Sequence, residues 1–102
     1  MLEITEYESR RWFNKNGQLH RVNGPAIEDI NGSKCWYVNG LRHREDGPAI
    51  ESINGHKQWW LNGKLHRING PAYEDIKGDK EWWLDGKEYT KEEYKRKVRE
   101  IC

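Results

Sequence analysis

At 102 residues the chain is one domain's worth, and with 34% hydrophobic and 34% charged residues it cannot build a thick apolar core. A net charge of +1, from 18 basic and 17 acidic residues, removes any general attraction to nucleic acid or an anionic membrane. No apolar run reaches the length of a membrane span.

The chain opens on Met1-Leu-Glu-Ile-Thr-Glu, which lacks the basic and apolar regions of a signal peptide. The two cysteines, Cys35 and Cys102, make neither a disulfide framework nor a Cys-x-x-Cys pair, so a reducing, cytoplasmic setting is expected. Burial falls to aromatic rings, with six Trp and five Tyr against one Phe and one Met.

Read onward, the chain repeats itself every 23 residues. Gly-Pro-Ala recurs at Gly24, Gly47 and Gly70. His20, His43 and His66 keep the interval, as do Arg21, Arg44 and Arg67, and Glu28, Glu51 and Glu74. Phe13, Trp36, Trp59 and Trp82 form an aromatic column at the same spacing. The units are a partial one at 1–23, then 24–46, 47–69 and 70–89, within a single repeat domain. The ends depart from the pattern, as capping units do.

Each unit reads as a β-hairpin. In residues 48–61 two apolar-polar runs flank Asn54-Gly55, a strong two-residue turn signal. Asn31-Gly32 and Lys77-Gly78 hold the same place. A loop of about nine residues, Asn62 to Gly70 in one case, follows each second strand. About eight short strands are expected, joined into an elongated single-layer antiparallel sheet.

A two-residue turn would set Ile27 opposite Trp36 and Asp29 opposite Lys34. One face then carries Ile27, Asp29, Lys34, Trp36 and Val38, and the other Ala26, Glu28, Ile30, Cys35 and Tyr37. The same register opposes Glu74 to Glu81, an unfavourable pairing. The repeated glutamate therefore calls for a partner elsewhere, the repeated arginine or histidine of a neighbouring loop. At the C-terminus Thr90-Lys-Glu-Glu93 is a capping-box pattern, and Tyr94, Val98 and Ile101 share one side of a helix over 91–101. That helix should cap the last hairpin.

The segment WWLNGKLHRINGPAYEDIKGDKEWW (59–83) resembles a MORN repeat, in a divergent form found in phage and bacterial proteins. Trp60, Asn62, Gly63, Lys64, His66, Gly70 and Gly78 follow the family's order, while Arg67 stands where it has glycine. The resemblance spans about residues 10–89. It implies hairpins stacked into one twisted sheet, no catalytic activity, and roles as scaffold, dimerisation module or lipid binder.

The chemistry of the repeated side chains points the same way. Equivalent histidines lie two strands apart, roughly 9–10 Å at about 4.8 Å per strand, so one column cannot share a metal whose ligands sit near 2.0 Å. Neither cysteine has a histidine neighbour in sequence, and no cofactor motif is present. His20, His43, His66, Arg21, Arg44, Arg67, Glu28, Glu51 and Glu74 are read as structural, because a catalytic site is normally singular. Partner contact is assigned to Trp36, Trp59 and Trp82 with Ile50 and Tyr73, residues that share a face in this register. Ala26, Ala49 and Ala72, the glutamates, Tyr37, Trp60 and Trp83 are assigned to the covered face.

The expected function is a non-catalytic protein-binding repeat module, and the resemblance makes a phage-encoded inhibitor or modulator of a host factor the leading form of it. Two alternatives stand beside it. One is a small-ligand or nucleotide-sequestering protein that uses aromatic stacking and the basic loops, with Asn62 to Arg67 as the anion-holding stretch. The other is a self-assembling structural piece, a homodimer through a sheet edge or face. A membrane or nucleic-acid partner is not expected.

Overall fold

A computed structural model describes residues 2–4 and 9–101, with side chains from residue 9 to residue 100. Within them run β1 (Leu2–Ile4), β2 (Arg10–Trp12), β3 (Ile27–Glu28), β4 (Lys34–Cys35), β5 (Tyr37–Val38), β6 (Leu41–Arg42) and β7 (Ile50–Glu51). Next come β8 (Lys57–Gln58), β9 (Trp60–Leu61), β10 (Lys64–Leu65), β11 (Tyr73–Glu74), β12 (Lys80–Leu84), β13 (Lys87–Tyr89) and the helix α1 (Lys91–Ile101). Nine strands join antiparallel in the order β1-β2-β3-β4-β7-β8-β11-β12-β13, and β5-β6 and β9-β10 form separate two-stranded hairpins. The result is a slab of 46 × 30 × 17 Å, mainly β with one terminal helix, as the repeat pattern requires.

Each unit holds two hairpins rather than one hairpin and a long loop. The strand that leaves β4 continues past Trp36 into β5, turns at Asn39-Gly40 and returns as β6. Asn39 has φ 49° and Gly40 φ 82°, the positive pair that a tight type I′ turn needs. Asn62-Gly63 and Asp85-Gly86 repeat it. These turns fall at the start of the stretch expected to be loop, so that the strand-free connections between β6 and β7 and between β10 and β11 are residues 43–49 and 66–72.

The other glycine turns are built differently, and the register shifts by one residue in consequence. At Asn31-Gly32 only the glycine has positive φ, at 95°. Asp29 N–H donates to Ser33 O at 2.9 Å and Gly32 N–H to Asp29 O at 3.0 Å. This is a three-residue loop with glycine at its left-handed end. Ile27 therefore faces Cys35, not Trp36, and Glu28 faces Lys34. The expected opposition of Glu74 to Glu81 disappears: Glu74 faces Lys80 and Tyr73 faces Glu81.

Across the sheet the corrected register makes two ladders of directly opposed residues. One runs Arg10, Glu28, Lys34, Glu51, Lys57, Glu74, Lys80, alternating in charge at every step. The other runs Arg11, Ile27, Cys35, Ile50, Gln58, Tyr73, Glu81. Opposed residues share a face, so the slab has a charged face and a mixed apolar face.

The first unit carries one more residue in its second turn. Phe13 bridges Leu19, and Asn14 N–H donates to Gln18 O across a three-residue loop. Trp12 thereby takes the place of Trp36 and Trp59: the three tryptophan amides donate to Ala26, Ala49 and Ala72 respectively. The aromatic column is Trp12, Trp36, Trp59, Trp82, and Phe13 belongs with Tyr37, Trp60 and Trp83. The 23-residue spacing alone sets Phe13 under Trp36, one column off, because the extra turn residue shifts the first unit by one.

The buried side chains among the described residues are few, and only the alanines are completely shut off from solvent. Ala26, Ala49 and Ala72 are 0% exposed, and Leu84 and Tyr94 are 5% exposed. The helix starts as expected, with Glu93 N–H donating to Thr90 Oγ1 and Thr90 N–H donating back to Glu93 Oε1. Tyr94 packs at 6.5 Å from Trp82, Val98 is half-buried, and the Ile101 side chain and Cys102 lie outside the described residues.

Candidate functional site: a covered face and an open one

The repeated phrase assembles one structural device per unit. In the third unit the Arg67 guanidinium lies 3.7 Å above the Trp59 ring. Its Nη1 donates to Pro71 O at 3.0 Å and to Glu74 at 2.9 Å. Arg44 repeats this on Trp36 at 3.7 Å, Pro48 O at 3.0 Å and Glu51 at 2.6 Å. Arg21 does so on Trp12 at 3.8 Å and Pro25 O at 3.2 Å, with Glu28 at 3.6 Å. Arginine suits the task because its planar fork stacks and donates at once. Gly-Pro-Ala follows from the same geometry. A Cβ on Gly47 would stand 2.9 Å from Arg44 Cζ, so the guanidinium lies where a side chain would be. The proline supplies a carbonyl, and the alanine tucks beneath.

The histidines bind unit to unit. His20, His43 and His66 each accept a hydrogen bond at Nδ1, at 2.9 to 3.0 Å, from the backbone of Asn39, Asn62 and Asp85 in the next unit's type I′ turn. The arginine amides add to this: Arg21, Arg44 and Arg67 N–H donate to Tyr37, Trp60 and Trp83 O. The nine residues expected to be structural thus form repeated contacts within and between units, and the glutamates find their partners in the loop arginines. Among the described residues no group of three or more His, Cys, Asp or Glu is placed to hold a metal ion, and no helix is long and apolar enough to cross a membrane.

The five expected contact residues do not share a face. Trp36 and Trp59 lie under Arg44 and Arg67, beside the glutamates, and Trp82 lies against Tyr94 and within 5.8 Å of Lys91 Nζ. The loops and α1 therefore cover the tryptophan column, together with the alanines and glutamates. Ile50 and Tyr73 stand in the other ladder, with Ile27, Cys35 and Gln58. Tyr37, Trp60 and Trp83, expected to be covered, belong to that second face. Trp60 Nε1 donates to Gln58 and Trp83 Nε1 to Glu81, each at 2.9 Å. Arg42 reaches over the same side, 5.0 Å from the Trp60 ring and donating to Tyr37 OH at 3.2 Å.

This open face continues across the second hairpins, where Leu65 faces Trp60, Arg42 faces Tyr37 and Glu88 faces Trp83. Its aromatic and aliphatic residues are all half-buried. Its charges are uneven from end to end. Arg11 and Arg42 stand in the N-terminal half with the single acid Asp29, while Glu81 and Glu88 stand at the C-terminal end beside the turn residues Asp75 and Asp79. Loss of water and then Asp75, Glu81 and Asp79 push the Tyr73 hydroxyl above its ordinary value. At the centre, burial raises the Cys35 thiol, with Arg42 lowering it and Asp29 raising it further.

Two clefts lie between successive loops. One of about 510 Å³ lies between Trp59 and the Glu45-Asp46 tip, and another of about 840 Å³ lies between that tip and Trp36. Arg44 and Arg67 border them, but the Nη1 of each is already engaged, as is Arg44 Nε with Asp46, and the tip is acidic. The stretch Asn62 to Arg67, offered as an anion holder, spends Asn62 N–H on His43 and Arg67 Nη1 on Pro71 and Glu74. A feature that went unread in the sequence is the column Ile30, Ile53, Ile76 at the tips of the first hairpins, 72%, 67% and 70% exposed. The 23-residue spacing contained it. No family model matches the sequence, and no curated protein or solved structure matches it either.

Proposed function

We propose that the chain is a non-catalytic protein-binding module: a stack of hairpins whose repeated residues hold the scaffold and whose open face docks a protein. The observation that supports this is the asymmetry of the slab. All three Arg-Trp stacks and the terminal helix lie on one side. The row Tyr37, Trp60, Trp83, with Ile27, Ile50 and Tyr73, lies half-exposed on the other, as the stacked tryptophans also are, but among the described residues it carries no loop arginine stacked on its rings. Large rings carrying a polar tip are what binding surfaces concentrate, and a contiguous apolar patch of this kind marks contact sites. A MORN-like scaffold in a phage setting, acting on a host factor, is the form of this reading that the sequence resemblance favours.

Immobilised chain should retain a specific protein, either its own untagged chain or a component of bacterial lysate identified by mass spectrometry, and Trp60→Ala should lose it while remaining folded. Retention unchanged in both Trp60→Ala and Tyr73→Ala would remove the open face from the reading. Absence of any specific protein partner, of its own kind or another, would remove the reading itself.

A further inference from the structure

We infer that the partner of the open face is a second copy of the chain, docked face to face with its unit order reversed. The inference rests on the protein-binding reading and gives it an occupant.

Three observations carry it. The first is that the slab is half of a normal layered domain. Stable domains pack two layers around one core. Here the layer is 17 Å thick, and no large side chain among the described residues is completely buried. A second sheet packed about 10 Å away would bury the row Tyr37, Trp60, Trp83 together with Ile27, Ile50 and Tyr73.

The second is area. The 46 × 30 Å outline caps the face at about 1,400 Å², and a stable protein pair buries about 800 Å² per partner. The face is large enough with a margin for its irregular edges.

The third is charge, which also selects the direction. Two copies stacked in the same direction would set Glu81, Glu88, Asp75 and Asp79 against themselves. Reversal brings the Arg11 end of each copy over the Glu81 end of the other, with Ile50 near the middle of the ladder. That is a two-fold arrangement, in which a contact between one residue and another occurs twice. Opposed rim charges of this kind fix register and suppress the wrong orientation. The covered face cannot serve the same purpose, because its loops and α1 stand over the sheet.

Sedimentation equilibrium across a concentration series tests this. The expected result is a species of twice the 12.2 kDa chain mass. Trp60→Ala should weaken self-association roughly tenfold or more, with an unchanged far-UV spectrum. Arg11→Glu and Glu81→Arg should each weaken it, and the double exchange Arg11→Glu/Glu81→Arg should restore it in part. A chain that stays monomeric at high micromolar concentration overturns the inference. So does a dimer indifferent to Trp60→Ala and to the charge exchange, because another surface would then hold it. Should the chain be monomeric while Trp60→Ala still abolishes retention of a foreign protein, the docking face stands and only its occupant is wrong. A monomer that also retains no protein removes both.

Discussion

The two faces of the slab use similar residues to opposite ends. On the covered face Trp12, Trp36 and Trp59 each have a guanidinium at 3.7 to 3.8 Å, held by a proline carbonyl and a glutamate, and Trp82 has Tyr94 of the helix instead. On the open face Trp60 has Arg42 only at 5.0 Å, and its indole N–H bonds a neighbour on its own strand continuation. The covered tryptophan is fixed from above by the loop. The open one is fixed only from the side. In a protein with so little apolar volume, the same ring is a core residue or a contact residue according to whether a loop closes over it.

The sharpest break is between adjacent residues. Trp59→Ala should cost about 3 kcal/mol, since it removes a large ring together with the cation–π contact that seats Arg67. Trp60→Ala should cost about 1 kcal/mol in dilute solution, where only side contacts are lost. Thermal denaturation of the two variants side by side reads the difference, and equal losses would show that the faces are equally closed.

Arg44→Ala should destabilise by about 2 kcal/mol, because the stack, the Pro48 carbonyl and Glu51 all lose their partner. Glu51→Ala should cost less, about 1 kcal/mol, since its side chain is 37% exposed and water can replace much of what Arg44 supplies. Chemical denaturation gives both values. An Arg44→Lys variant that keeps full stability would show that charge alone suffices and the stacked fork does not matter.

Tyr94→Phe isolates the cap. The Tyr94 hydroxyl donates to Arg67 O at 2.6 Å and accepts from Gly70 N–H at 3.1 Å, so α1 is tied to the last Gly-Pro-Ala loop. Loss of that hydroxyl should cost about 1 kcal/mol. Hydrogen exchange should show faster opening at Gly70, while amides of the second unit keep their protection.

The smallest effect is one of pH. Hydrogen bonds from the Thr90 backbone and side chain hold the Glu93 carboxyl below its ordinary value, helped by Arg96 and Lys87. A group whose folded pKa is depressed adds stability above its unfolded pKa, and that stability fades as pH falls through the folded value. A small part of the Tm should therefore be lost below the ordinary glutamate range, and Glu93→Gln should remove that part. The same acid slope in wild type and variant would show that the cap carries none of it.

Much of the device was legible before any coordinates. The 23-residue period, Thr90-Glu93 and the glycine turns are local patterns, and local patterns survive because each needs only its neighbours. The arginine–glutamate pairing was legible too, through the like-charge clash that a wrong register produced. Lys77 before Gly78 held the missing signal. Lysine tolerates positive φ poorly, so that turn could not be type I′, whereas Asn39-Gly40, Asn62-Gly63 and Asp85-Gly86 all could.

What the sequence by itself determined is therefore the unit: a 23-residue repeat with its recurring His, Arg and Glu, antiparallel hairpins, and a terminal helix over Lys91–Ile101. What only the tertiary structure decided is which way each ring points. Side chains in a strand alternate with period two, so a one-residue change in turn length moves a whole set to the other face. The three-residue loop at Gly32 joined Trp36 to Glu28 and Tyr37 to Ile27, and the loop at Gly17 moved the first column to Trp12. Closure of the arginines over that column depends on contacts across the loop, as from Trp36 to Arg44, and on the next unit's turn that each histidine holds. Those contacts exist only once the units are stacked.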